Sequence, residues 1–318
     1  MAEISDDITK AAALLNEGKL VAIPTETVYG LAGNALDPLA VSKIFEVKNR
    51  PSFDPLIIHI ASIDRLGDVV AEVPDAAIKL AKQFWPGPLT LLLPRKAIIP
   101  DIVTSGLDRV AVRIPAHPLS LELLGKLSFP LAAPSANPFG YISPTSARHV
   151  NDQLGNKLDF ILDGGLCTVG IESTIVGFEG NKTLIYRLGG TSVEDIEAVV
   201  GEVDVKPHSS SNPAAPGMLK SHYAPRKKVV IGQLDQLISA YKDQKPGIIT
   251  FNSKLDGIDP SLQIQLSADG NLNEAAVNLF AALRALDGSE CTIILAELVP
   301  DKGLGKAIND RLKRASAE

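Results

Sequence analysis

Short apolar runs set between stretches of helical periodicity constrain this chain more than any other feature of its sequence. Runs too short for a helix, rich in Val, Ile and Leu and bounded by Pro or Gly, read as buried strands. Strands that alternate with helices build α/β layers. Ile4, Ile8, Ala11, Ala12 and Leu15 follow a helical period over residues 4–17, with Ser5-Asp6-Asp7 as caps and Gly18 as a stop. Strands are predicted at 20–23, 56–60, 89–93, 110–114, 131–133, 160–163, 173–178 and 183–187, and further helices at 39–47 and 75–84. The expectation is an α/β sandwich around a twisted mixed sheet.

Composition changes near Val205. Residues 206–220 are rich in Ser, Pro and Gly and read as a linker. Strands at 228–231, 247–251, 264–266 and 292–295 then alternate with helices at 234–241, 273–286 and 307–315, which predicts a small doubly wound, Rossmann-like second domain. The division expected is 1–205, a linker and lid over 206–227, and 228–318. At 318 residues and 45% hydrophobic, the chain has material for two cores. Arg311, Lys313 and Arg314 at the end of the last helix are read as complementing its dipole.

A net charge of −6 argues against sequence-independent binding to nucleic acid, which needs a strongly basic face. Cys167 and Cys291 lie too far apart in sequence for a metal-ligand spacing, so a zinc site is not expected and a reducing compartment is. The first ten residues hold three acidic groups and no apolar signal core, and no apolar run reaches the roughly 18–20 residues of a membrane span. The expected location is the cytoplasm.

Polar residues placed at strand ends carry the chemistry. Thr25-Glu26-Thr27 sets two hydroxyls beside a carboxylate after Pro24, either to bind a small polar ligand or to cap a helix. Lys48 and Arg50 are two apart, and Pro51 disfavours helix before it. On an extended backbone the pair shares one face and can grip a triphosphate; otherwise it is solvated surface charge. His59 and Arg113 interrupt apolar strands, each as a satisfied core group or as a ligand contact. The loop Pro134-Ser135-Ala136-Asn137-Pro138, with Ser143 beyond it, offers hydroxyls, an amide and backbone N–H groups to an anion. Gly170-Ile171-Glu172-Ser173-Thr174-Ile175 repeats the theme. No Walker A sequence, no G-x-G-x-x-G at a β-α junction and no G-x-S-x-G elbow occurs. The equipment suits gripping and aligning charged substrates, as in adenylyl or phosphoryl transfer.

Pro24 to Leu31, Lys48-Asn49-Arg50-Pro51, Pro86-Gly87-Pro88-Leu89-Thr90, Val112-Arg113-Ile114-Pro115, Ala133 to Asn137, Gly170 to Ile175 and Arg187 together resemble the ordered motifs of the YrdC-like family. Pro216-Gly217-Met218-Leu219-Lys220-Ser221-His222-Tyr223-Ala224-Pro225 resembles the linker of the longer, two-domain threonylcarbamoyl-AMP synthases. The resemblance implies a nucleotidyltransferase that converts L-threonine, bicarbonate or CO₂, and ATP into L-threonylcarbamoyladenylate and pyrophosphate. It also implies a downstream transferase that modifies the adenosine beside the anticodon of tRNAs reading codons that start with A.

By matching positions, Lys48, Arg50, Ser135 and Asn137 form the family's polar tetrad around the phosphates. The same match implies that Thr27, His59, Arg113, Ala133 and Ser173 hold threonine, with Arg113 facing its carboxylate. It likewise implies that Asp54, Arg109, Ser143, Arg187 and Tyr223, with Arg50 and Ser135, contact the nucleotide and that the linker lies over the cleft. Asp54 stands where the family commonly has an amide and Arg109 where it has a small hydroxyl residue. No protein metal site is implied; Mg²⁺ arrives with ATP. The competing readings are a double-stranded RNA-binding or ribosome-assembly module, which the charge and the lack of stacking aromatics disfavour, and carbamoyl transfer in hydrogenase maturation, whose zinc-finger cysteines are missing. A weak contact with RNA stays open.

Overall fold

Fifteen short strands occur in the computed structural model, which describes residues 1–206, 213, 215–218 and 222–317. In chain order they are β1 (Glu3–Ser5), β2 (Val21–Ile23), β3 (Gly30–Asn34), β4 (Ile57–His59), β5 (Leu89–Pro94), β6 (Arg109–Arg113), β7 (Leu131–Ala132), β8 (Phe160–Leu162), β9 (Thr174–Glu179), β10 (Lys182–Arg187), β11 (Val203–Val205), β12 (Val229–Ile231), β13 (Pro246–Thr250), β14 (Gln263–Gln265) and β15 (Ile293–Ala296). The first eleven join one mixed sheet in the order β1-β8-β2-β3-β7-β4-β6-β5-β9-β10-β11. Parallel pairs such as β4 with β6 alternate with antiparallel ones such as β5 with β6. The mixed α/β expectation matches this architecture.

Several elements differ from the sequence reading. The first helix starts at Ile8, because the Asp7 carboxylate accepts from Lys10 N at 2.9 Å and caps it, while Glu3–Ser5 pairs with β8 at the sheet edge. Gly30–Asn34, with two glycines and no β-branched residue, carries no strand signal, yet it pairs with β2 and β7. Helices Pro118–Lys126, Ala147–Leu154 and Val193–Val200 and the edge strand β11 also escape the sequence reading.

β12 to β15 form a second sheet, all parallel, in the order β12-β15-β13-β14. Alternate residues reach opposite faces. Ile248, Ile293 and Leu295 pack with Leu234 of helix Leu234–Ala240, and Ile249, Ile294 and Ala296 pack toward helices Leu272–Gly288 and Gly305–Ala315. That second cluster continues into the first domain through Val28, Ile142 and Ile171 and into the linker through Tyr223. The part of the predicted linker spanning 207–212, 214 and 219–221 lies outside the described residues. No helix among the described residues is long and apolar enough to cross a membrane.

Candidate active site

Strand ends and the turns after them line a cleft that gathers hydroxyls, imidazoles and three guanidiniums. β4 and β6 run parallel with His59 opposite Arg113, so both polar side chains arrive at one carboxyl edge. After β2 the chain turns at Thr25, whose Oγ1 accepts from Thr27 N at 3.1 Å and Val28 N at 3.2 Å and donates to Val28 O at 2.6 Å. Thr25 caps no helix. The turn presents the Thr27 hydroxyl, 2.8 Å from Thr25 Oγ1, to Arg113 Nη1 at 2.8 Å.

Arg113 is buried and fixed from three sides. Its Nε donates to Gly87 O at 3.1 Å, and Nη2 lies 2.5 Å from Glu26 Oε1 in an ion pair that is not aligned as a hydrogen bond. The other Glu26 oxygen accepts from Ala116 N at 3.0 Å. Burial first, and the Arg113 charge second, lower the His59 pKa to about 3, so the imidazole is neutral at pH 7. Its Nδ1 is buried without a hydrogen-bond partner.

Facing this trio are two more buried guanidiniums. Arg187, near the end of the sheet's antiparallel β9–β10 pair, donates twice to Ser173 O, at 2.9 and 3.0 Å, and once to Ser173 Oγ at 3.0 Å, while Thr90 Oγ1 lies 2.7 Å from that hydroxyl. Burial lowers its pKa to about 10, still charged at pH 7. Arg50 donates to Asp54 O and Pro55 O, faces the Asp54 carboxylate at 2.9 Å and lies over the Phe139 ring at 5.7 Å.

Lys48 and Arg50 do not share a face. Lys48 ends helix Pro38–Lys48, and Asn49, with φ of 56°, turns the chain between them. The buried Lys48 ammonium donates to Ser135 O at 2.6 Å and Asn137 O at 2.5 Å, bracing the Pro134–Asn137 turn from below. Desolvation, then the neighbouring Arg50, hold its pKa well below the usual lysine value.

Of the predicted positions, Thr27, Arg50, His59, Arg113, Ala133, Ser135, Ser173, Arg187 and Tyr223 line the cleft. Lys48, Asp54, Asn137 and Ser143 sit behind that wall. Asn137 Nδ2 donates to Pro138 O and Tyr141 O, and Ser143 Oγ donates to Glu172 Oε1 at 2.5 Å. Arg109, at the opposite end of β6 from Arg113, donates to Tyr186 OH at 3.1 Å and is not among the lining residues.

Glu172, His222 and Gly217 line the cleft without having been assigned a role from the sequence. His222 and Tyr223 form a T-shaped pair, with centroids 4.3 Å apart, and burial plus the surrounding Arg314, Arg50, Lys48 and Arg187 charges keep the imidazole neutral. The basic end of the last helix does more than complement a dipole. Arg311 is fully buried and, with Arg314, stands over the Tyr223 ring, at 5.3 and 4.7 Å. A sequence signal for this existed: Arg311 follows Ile308 and precedes Leu312 on a helix with a marked apolar stripe. Among the described residues no three His, Cys, Asp or Glu side chains converge as a metal site. The carboxylates at this site, Glu26, Asp54 and Glu172, each face a guanidinium, from Arg113, Arg50 and Arg311.

The fold and cleft define a class: a mixed α/β domain whose cleft is lined by buried arginines and by Pro216, Gly217, His222 and Tyr223, followed by a second α/β domain. A family model described as telomere recombination, covering Sua5, YciO and YrdC, matches residues 13–189, and one described as threonylcarbamoyl-AMP synthase, C-terminal domain, matches 191–317. The threonylcarbamoyl-AMP synthase of Pyrococcus abyssi is 44% identical, covering 96% of this chain and 93% of its own; that of Bacillus subtilis is 42% identical, covering 97% and 92%. A crystal structure of P. abyssi Sua5 complexed with L-threonine superposes with a TM-score of 0.93 at 43% identity, over 99% of this chain and 97% of that one. The chain belongs to the two-domain threonylcarbamoyl-AMP synthases of the Sua5/YciO/YrdC family.

Proposed function

We propose that this protein synthesises L-threonylcarbamoyladenylate from L-threonine, bicarbonate and MgATP, releasing pyrophosphate. One observation carries the reading: a neutral imidazole, a hydroxyl and a fixed guanidinium (His59, Thr27, Arg113) share a cleft with the buried cations Arg50 and Arg187, in a chain that matches the synthases across both domains. The first group suits an amino acid carboxylate and the second a polyphosphate. That the P. abyssi relative was crystallised with L-threonine supports the first assignment.

In this reading Arg113 receives the threonine carboxylate as a planar fork, with Thr27 fixing the orientation of one of its nitrogens. The threonine ammonium first loses a proton, and the neutral amine attacks the carbon of CO₂ or bicarbonate to form the N–C bond; with CO₂ a second proton leaves the nitrogen, and with bicarbonate the C–OH bond breaks and hydroxide departs with that proton as water. A carbamate oxygen then attacks the α-phosphorus as the α–β phosphoanhydride bond breaks and pyrophosphate departs. Arg50, Arg187 and the loop at Ser135 stabilise the charge that shifts onto the phosphates, work done by positioning and electrostatics. Lys48 and Asn137 act by bracing that loop. Pro216, Gly217, His222 and Tyr223 exclude water while the short-lived carbamate waits. Each carboxylate at the site faces an arginine, and in this reading magnesium enters as part of the nucleotide substrate. The product passes to a tRNA-modifying transferase in the cytoplasm.

Pyrophosphate release by the purified protein tests this. It should require ATP, threonine and bicarbonate together and fall at least about a hundredfold in Arg113→Ala, as expected when a charge-assisted substrate anchor is removed. Release without threonine, or an unimpaired variant, would refute it.

A further inference from the structure

Glu172 poses an electrostatic problem for any polyphosphate site. It is a buried carboxylate in the cleft wall, on the same lining as Arg187 and Arg50. An uncompensated negative charge there would repel the phosphates the cleft is proposed to hold. Arg187 of the same domain supplies part of the compensation, and the larger share comes from the other domain. Arg311, on helix Gly305–Ala315 and wholly buried, places Nε 3.2 Å and Nη2 3.1 Å from Glu172 Oε2, while Glu172 Oε1 accepts from Ser143. Arg311 Nη1 also donates to Leu188 O and Asp310, and its guanidinium stands over the ring of Tyr223. One side chain of the C-terminal domain therefore neutralises a wall carboxylate, ties down the segment after β10 and backs the aromatic ring of the linker.

We propose that Arg311 is a positioning residue for nucleotide binding, contributed by the C-terminal domain: it fixes Glu172 and cancels its charge so that the cleft accepts polyphosphate. This rests on the nucleotide-dependent reading above. It gives the second domain a role in completing the first domain's site, beyond linking or docking.

The test is ATP binding by titration calorimetry on the full chain, which does not depend on turnover and so separates this proposal from the synthase reading. Arg311→Gln is expected to weaken ATP binding by about tenfold or more, the usual scale for stranding a buried charge beside a binding site. Arg311→Gln combined with Glu172→Gln should bind within about threefold of the wild type, because the repelling charge is gone. Glu172→Gln alone, which keeps the cation, should bind at least as tightly as wild type. A purely structural role for Arg311 predicts that the double variant stays as weak as the single one. That result, an unchanged affinity in Arg311→Gln, or weaker binding in Glu172→Gln alone would overturn the proposal. Should Arg311→Gln fail to fold, Arg311→Met, which keeps the side-chain bulk without the charge, takes its place alone and with Glu172→Gln, with the same outcomes.

Discussion

His59 and Arg113 show how burial sets charge at the scale of single residues. The imidazole pKa is lowered to about 3, whereas the unfolded chain takes up the proton near 6.5. The unfolded state thus binds more protons below that point, so stability present at pH 7 is lost as pH falls from about 6.5 toward 3. Between pH 7 and pH 5 this one group should cost about 2 kcal/mol, so a His59→Asn variant should lose that much less in a urea-unfolding series across the same interval. A variant that loses as much as wild type would show that His59 titrates normally. Arg113 predicts a second effect: Arg113→Ala strands the buried Glu26 carboxylate and should destabilise the fold by about 3–5 kcal/mol, with much of that recovered, but no activity, when Glu26→Gln is added. Both residues were legible in the sequence because each interrupts an apolar strand. Glu172 and His222 were not, since a carboxylate or imidazole in a polar turn carries no mark of burial. Lys48 and Arg50 misled because their relation depends on the left-handed Asn49 between them.

At the scale of elements, the same contrast separates strands built from branched apolar residues from those made by their surroundings. β4, β5 and β6 announce themselves, whereas β1 and β11 exist through pairing at the two edges of the sheet, and β3 is a glycine-containing segment held between β2 and β7. Helix Ala147–Leu154 buries only Ala147, Val150 and Leu154, too few apolar residues to stand out. Two turns depend on glycine. Gly170 has φ of 77°, and a Cβ there would meet Val277 Cα of helix Leu272–Gly288 at 2.3 Å, so Gly170→Ala should lower stability by more than about 2 kcal/mol as the domains part locally. Gly217 has φ of 72° and its Cβ would press on Arg187 Nη1 at 3.0 Å. Gly217→Ala should raise the KM for ATP and also lower stability by about 1 kcal/mol, the cost of a Cβ at positive φ; an unchanged KM would separate this turn from the cleft.

Across the whole molecule, the domains built on the eleven-stranded and four-stranded sheets share a core. Val28, Ile142 and Ile171 of the first join Ala276, Phe280 and Leu283 of the second, with Tyr223 of the linker among them. Periodicity within each domain says nothing of such a seam, which is why the sequence left the second domain without a role. A shared core predicts one cooperative calorimetric transition, with the calorimetric and van't Hoff enthalpies agreeing; two resolved transitions would contradict it. It also explains how a helix at the far end of the chain reaches the cleft wall. The central claim, that this cleft joins threonine, an inorganic carbon and AMP, is tested most directly by mass spectrometry of the product formed from ¹³C-bicarbonate, threonine and ATP. An adenylate that contains threonine and one labelled carbon, formed together with pyrophosphate, is expected. An adenylate without the label, or ADP and phosphate in place of AMP transfer, would contradict it.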